Sequence, residues 1–63
     1  MYLVRFRRRD EQPNEEYYYH HEEDASSHIR LFEEDDSGLY ETIEVLQIVK
    51  NHEVTLAKLR LND

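Results

Sequence analysis

The residue pattern predicts an α+β domain, ββαββ, with one helix packed on an antiparallel β-sheet. Three observations carry this. Residues 2–8 alternate with period two, and residues 15–21 are rich in tyrosine, as half-buried strands are. Residues 22–34 instead place Ala25, Ile29 and Phe32 at i, i+4 and i+7, with His28 beside them, a single stripe of helical period. Residues 40–50 and 54–61 return to Ile, Val, Leu and Thr, the residues that fill strands.

In the first strand Tyr2, Val4 and Phe6 share one face, and Leu3, Arg5 and Arg7 the other. The arginines read as a solvated face pairing with nearby acids. A nucleic-acid stripe, or contacts to a partner or second copy, are the other readings. Asp10-Glu11-Gln12-Pro13-Asn14 is a turn, since Pro13 withdraws a backbone donor and Asn14 tolerates turn geometry. In the second strand Tyr17, Tyr19 and His21 lie on one face, Tyr18 and His20 on the other. A hairpin of the two strands sets the arginines against Glu15 and Glu16.

The helix, 22–34, carries acids at both ends. Glu22, Glu23 and Asp24 occupy its first turn, where the helix dipole favours negative charge. Glu33, Glu34, Asp35 and Asp36 fall at its last turn, where each exposed acid costs about 0.3–1 kcal/mol. Helix stability does not explain that second group, so it points to function. Gly38 supplies a left-handed C′ residue to end the helix.

For 40–61 one long helix is the alternative, but the β-branched content and Lys50-Asn51-His52-Glu53 favour a hairpin. With a loop at 51–53, Ile43, Val45, Val49, Ala57, Leu59 and Leu61 face the helix. Leu46, Ile48, Val54 and Leu56 then form an apolar patch on the other face, bordered by Glu44, Lys50, Lys58 and Arg60. Such a patch is a homodimer seam or partner site, unless a loop or strand covers it or the register is shifted by one.

The totals set limits. Sixty-three residues make a single domain, 1–63, near the size where one core is marginally stable. With no cysteine, neither disulfides nor thiolate metal sites staple it, and a partner subunit is the common remedy. Apolar runs of four residues or fewer predict no membrane span, and no signal peptide is legible, so the expected location is the cytoplasm. All 15 acids lie at Asp10 or later, while Arg5, Arg7, Arg8 and Arg9 precede them; the net charge is −7. That field opposes direct nucleic-acid binding and favours a basic protein surface. His20, His21, Glu22 and Glu23 are adjacent rather than convergent, so no metal site is expected. No nucleophile, base and orienting group form a legible set, so neither an enzyme nor a cofactor is expected.

Three segments carry a resemblance: Tyr17-Tyr18-Tyr19-His20, then Ile29-Arg30-Leu31-Phe32-Glu33, then the closing Lys58-Leu59-Arg60-Leu61. With their order and acidity, the chain resembles the short uracil-DNA glycosylase inhibitors of bacteriophages, acidic dimers that imitate DNA. The resemblance covers about half the chain and leaves the arginine-rich first strand and the last strand unexplained. Phe32-Glu33-Glu34-Asp35-Asp36-Ser37-Gly38-Leu39-Tyr40 equally resembles small proteins of Gram-positive bacteria and their phages that carry no assigned activity. The resemblance implies that Phe32 and Glu33 meet the partner. By periodicity Phe32 belongs to the core.

The expectation is therefore a non-enzymatic inhibitor in a bacterial host cell, an acidic DNA mimic occupying a nucleic-acid-binding surface of a host protein. Its contacts are Glu22, Glu23, Asp24, Phe32, Glu33, Glu34, Asp35 and Asp36. The alternative is a structural or regulatory homodimer using the Leu46/Ile48/Val54/Leu56 patch, its acidity serving solubility only.

Overall fold

Alternation along the first strand sets its two faces, and its backbone edges are left to pair with strands on both sides. In the computed structural model, which describes residues 1–34 and 37–61, the chain runs β1 (Tyr2–Arg8), β2 (Glu15–Tyr19), α1 (Glu22–Arg30), β3 (Tyr40–Val49) and β4 (His52–Arg60). The strands form one antiparallel sheet in the order β2-β1-β3-β4, with α1 against one face. This is the expected ββαββ architecture. β1 lies inside the sheet because β2 turns back on it at Val4↔Tyr17 and β3 joins its other edge at Val4↔Val45.

The helix-facing side of the sheet holds the core. Val4 and Phe6 from β1, Ile43 and Val45 from β3, and Leu61 pack against Ala25 and Ile29 of α1. Ala25 is fully buried, and its small side chain lets the helix come close to the sheet. Burying a Val, Ile or Phe side chain is worth about 1.5–3 kcal/mol. Tyr2, Tyr19, Phe32, Tyr40 and Leu59 pack around this group and extend it.

The helix starts at Glu22 as the periodicity reading expected, but the strand before it and its own C-terminal end differ. β2 stops at Tyr19, not 21, and His21 becomes the helix N-cap in extended conformation, its carbonyl accepting from the Asp24 and Ala25 amides at 3.1 and 3.4 Å. α1 then ends at Arg30 rather than 34. The Leu31, Phe32 and Glu33 amides donate instead to the carbonyls three residues earlier, at 3.2, 3.0 and 3.4 Å, a tightened turn. His28 and Arg30 therefore hold the last turn of the helix, where basic groups suit the dipole, and Glu33 and Glu34 fall beyond it. Gly38 has the expected positive φ of 76°, but it serves the connection to β3, not the helix C′ position.

The β3–β4 hairpin also corrects its expected boundaries. The loop is Lys50-Asn51, with φ of 50° and 67°, and Val49 pairs with His52. Two consecutive left-handed residues match the twist of the flanking strands, so a two-residue loop replaces the expected 51–53. The register then breaks once: Leu46 pairs with Thr55 but Val45 pairs with Ala57, leaving Leu56 as the extra residue of a bulge. The bulge keeps Ala57 and Leu59 on the helix side, opposite Val45 and Ile43. Val49, expected in the core, lies exposed beside the loop.

On the opposite face no helix covers the sheet, yet Leu3 and Leu46 are buried. They are neighbours in the β1–β3 register, and the Arg5 side chain extends from β1 across β3 to β4 on the same face. An aliphatic arginine stem laid across a sheet shields apolar side chains on that face, a role tested by the Arg5 substitutions below. Among the described residues, no helix is long and apolar enough to cross a membrane.

Candidate functional site

Where the acids go is decided by which of them the arginines take. Arg5 Nε donates to Glu16 Oε2 at 2.7 Å, and its Nη2 donates to Glu53 Oε2 at 2.8 Å. Arg7 binds the buried Glu44 at 2.6 Å. Arg8 binds Asp10 at 2.8 Å and Glu15 at 2.9 Å. The Arg9 guanidinium donates to the Leu61 carbonyl at 2.9 Å. The arginines of the first strand thus pair with nearby acids, as the solvated-face reading expected.

These pairs set the local electrostatics. The Arg8 guanidinium pulls the Asp10 carboxyl down to about 2 and lowers Glu15, which also accepts from Tyr17 and Tyr40. Arg5 lowers Glu53, and the two carboxylates around Arg5 raise the guanidinium in turn.

Glu22, Glu23 and Asp24 are different. They stand exposed on the first turn of α1, and Glu33 and Glu34 stand exposed on the turn that follows it. Among the described residues none of these five makes an ion pair with a described cation. Asp35 and Asp36 lie outside the described residues. Among the described residues, five of the exposed acids without an ion pair therefore stand at the two ends of the helical segment, with Glu11 and Glu41 elsewhere on the surface. Such carboxylates accept charge-assisted hydrogen bonds from arginine or lysine on another surface.

Phe32 is half-buried, and an aromatic cluster holds it. Phe6 is the centre of that cluster, with ring centroids at 4.9 Å to Phe32, 5.0 Å to Tyr40, 5.1 Å to His28 and 5.6 Å to Tyr17. Edge and tilted geometries of this kind add to area burial. By seating Phe32, the cluster fixes the turn that presents Glu33 and Glu34. His28 is the functional-site support that sequence reasoning placed only beside the stripe. It lies against Tyr17 and Phe32 at 4.9 and 5.9 Å, and its Nδ1 is 2.6 Å from the Tyr19 hydroxyl. Its spacing from Phe32, i to i+4, was the available signal.

The expected patch is not one surface. Leu46 is already buried, and Ile48 is half-buried on the same face. Val54 pairs with Gln47, which puts it on the opposite, helix-facing side, and Leu56 is the unpaired bulge residue. The two-residue loop and the bulge together displace these side chains from the arrangement expected of a 51–53 loop.

No family model, curated protein or solved structure matches the chain.

Proposed function

We propose that the protein is a non-enzymatic binding module that occupies a basic, nucleic-acid-binding surface of another protein in the bacterial cytoplasm, imitating DNA. One observation carries this reading: Glu15, Glu16, Glu44 and Glu53 of the strands are paired with Arg5, Arg7 and Arg8, whereas Glu22, Glu23, Asp24, Glu33 and Glu34 are left exposed without described cationic partners. The helix dipole accounts for the acids of the first turn but not for Glu33 and Glu34, which fall beyond the last one. Across Glu22 to Arg30 a helix rises about 12 Å, so the two groups stand in for a short stretch of phosphate backbone. Uracil-DNA glycosylase, the target implied by the resemblance, is the first protein to test.

The experiment neutralises the acids without touching the core. Glu33→Gln with Glu34→Gln, and separately Glu22→Gln, Glu23→Gln and Asp24→Asn, leave the fold unchanged. Binding to the basic partner weakens, chiefly through slower association, and its salt dependence flattens. With the glycosylase, wild-type protein blocks uracil excision in competition with DNA, and the neutralised forms block it less. Neutralised variants that bind each recovered partner as tightly as wild type overturn the mimicry reading.

A further inference from the structure

We infer that a second copy of this chain pairs with the outer edge of β4, joining two four-stranded sheets into one of eight strands. This surface is separate from the acidic one, and its test does not depend on the proposed function. β4 is the last strand in the order β2-β1-β3-β4, and among the described residues nothing pairs with its outer side. All but one of its nine residues are exposed, including Val54 and Leu56. An unpaired strand edge of that length is a template for another strand.

The occupant follows from charge and from the bulge. Pairing with β3 places Glu53, Thr55, Lys58 and Arg60 on one face, opposite Ile48, Leu46, Glu44 and Thr42. It places His52, Val54, Ala57 and Leu59 on the other. In a regular strand, Glu53 and Lys58 point to opposite faces. Here the extra residue at Leu56 brings them to the same one.

A copy related by a two-fold axis normal to the sheet runs antiparallel and keeps its faces. The register that sets Glu53 opposite Lys58 of the second copy therefore matches side with side on both flanks of the bulge, with Thr55 and the bulge residue Leu56 at the centre. It forms two Glu53–Lys58 pairs by symmetry, with Arg60 diagonal to Glu53 and Val54 opposite Ala57. Among the described residues neither Lys58 nor Arg60 has an ion-pair partner of its own. In a chain of net charge −7, this edge is where two copies repel least. A bulge and a lysine on an edge ordinarily discourage strand addition. This self-match is compatible with both.

The joined sheet sets both α1 helices on one face. Strands about 4.8 Å apart place them roughly 20–25 Å from each other.

Sedimentation over a wide concentration range tests the pairing. Wild type is a dimer. Lys58→Glu, which sets two acids together twice, raises the dissociation constant roughly tenfold or more, and Lys58→Gln raises it less. Glu53→Lys alone also weakens the dimer, and Glu53→Lys with Lys58→Glu restores it. Circular dichroism confirms that each variant is folded, since Glu53→Lys also removes a partner of Arg5. Amide exchange of the wild type slows with concentration along β4 and not along β2. A wild type that stays monomeric throughout overturns the inference, and so does a dimer indifferent to Lys58→Glu or one whose protected amides lie elsewhere.

Discussion

The Tyr19 hydroxyl and His28 Nδ1 lie 2.6 Å apart, joining the end of β2 to the last turn of α1. With His28 neutral and protonated on Nε2, the tyrosine donates and the ring accepts. Phe6, Tyr17 and Phe32 surround the same ring, Asp24 lies one helical turn before it, and Arg8 and Glu15 pair with each other beside Tyr40. Desolvation lowers the His28 pKa below its ordinary 6.5.

A pH dependence follows, with a definite sign. A histidine whose folded pKa is depressed binds fewer protons when folded than when unfolded. Its contribution to stability is complete above about 6.5 and is lost as pH falls towards the folded value. Thermal unfolding between pH 7 and pH 5 should show wild type losing stability more than His28→Gln does. Equal losses would show that His28 does not carry the dependence.

Phe6→Ala should unfold the domain. Phe6 is 1% exposed and touches rings from β2, α1, the turn after it and β3. A buried Phe→Ala change costs about 3–5 kcal/mol, comparable with the whole stability of a domain this small. Phe6→Leu should leave a folded protein of lower melting temperature, read by circular dichroism. Phe6→Ala melting like wild type would remove Phe6 from the centre of the core.

Arg5 is expected to act by covering as well as by charge. Its partners Glu16 and Glu53 are 37% and 47% exposed, so water screens the two pairs. Arg5→Met, which keeps the stem, should cost about 1 kcal/mol. Arg5→Ala also uncovers Leu3 and Leu46 and should cost about 2 kcal/mol. In acid the pairing is lost in the order the linkage dictates. Glu53 is lowered from 4.5 by Arg5, so its stabilisation is present above that value and fades as pH falls. Chemical denaturation of both variants at neutral pH gives the two costs, and equal values would show that coverage contributes nothing.

The Lys50-Asn51 loop holds two non-glycine residues at positive φ. Asn tolerates this region and Gly adopts it freely, while Lys has no such advantage. Lys50→Asn with Asn51→Gly should therefore stabilise the hairpin by about 0.5–1 kcal/mol, and Asn51→Val should destabilise it by about 1 kcal/mol or more. Denaturant midpoints check both. A destabilised Asn-Gly variant would mean that the Lys50 side chain contributes something the loop geometry does not show.

Several of these features could be read before any coordinates. Tyr2, Val4 and Phe6 announced a strand with one buried face, and Ala25, Ile29 and Phe32 announced the stripe that α1 and its following turn lay on the sheet. Glu15 and Glu16 were placed against the arginines because hairpin partners follow from a turn at Pro13. The exposed acids were legible individually. Their lack of partners was not, since Glu53 reaches Arg5 from a residue 48 positions away in the chain.

Local periodicity determined the kinds of element, their order and the α+β class, because a side chain's face depends only on its neighbours a few residues away. Tertiary structure alone decided the register of β3 on β4, the bulge at Leu56 and the division of the Leu46/Ile48/Val54/Leu56 group between the two faces. It also decided that the helix stops at Arg30 and that His28 bonds Tyr19. Each of these depends on where a distant strand or ring comes to rest, and a one-residue slip reverses the face of every side chain beyond it.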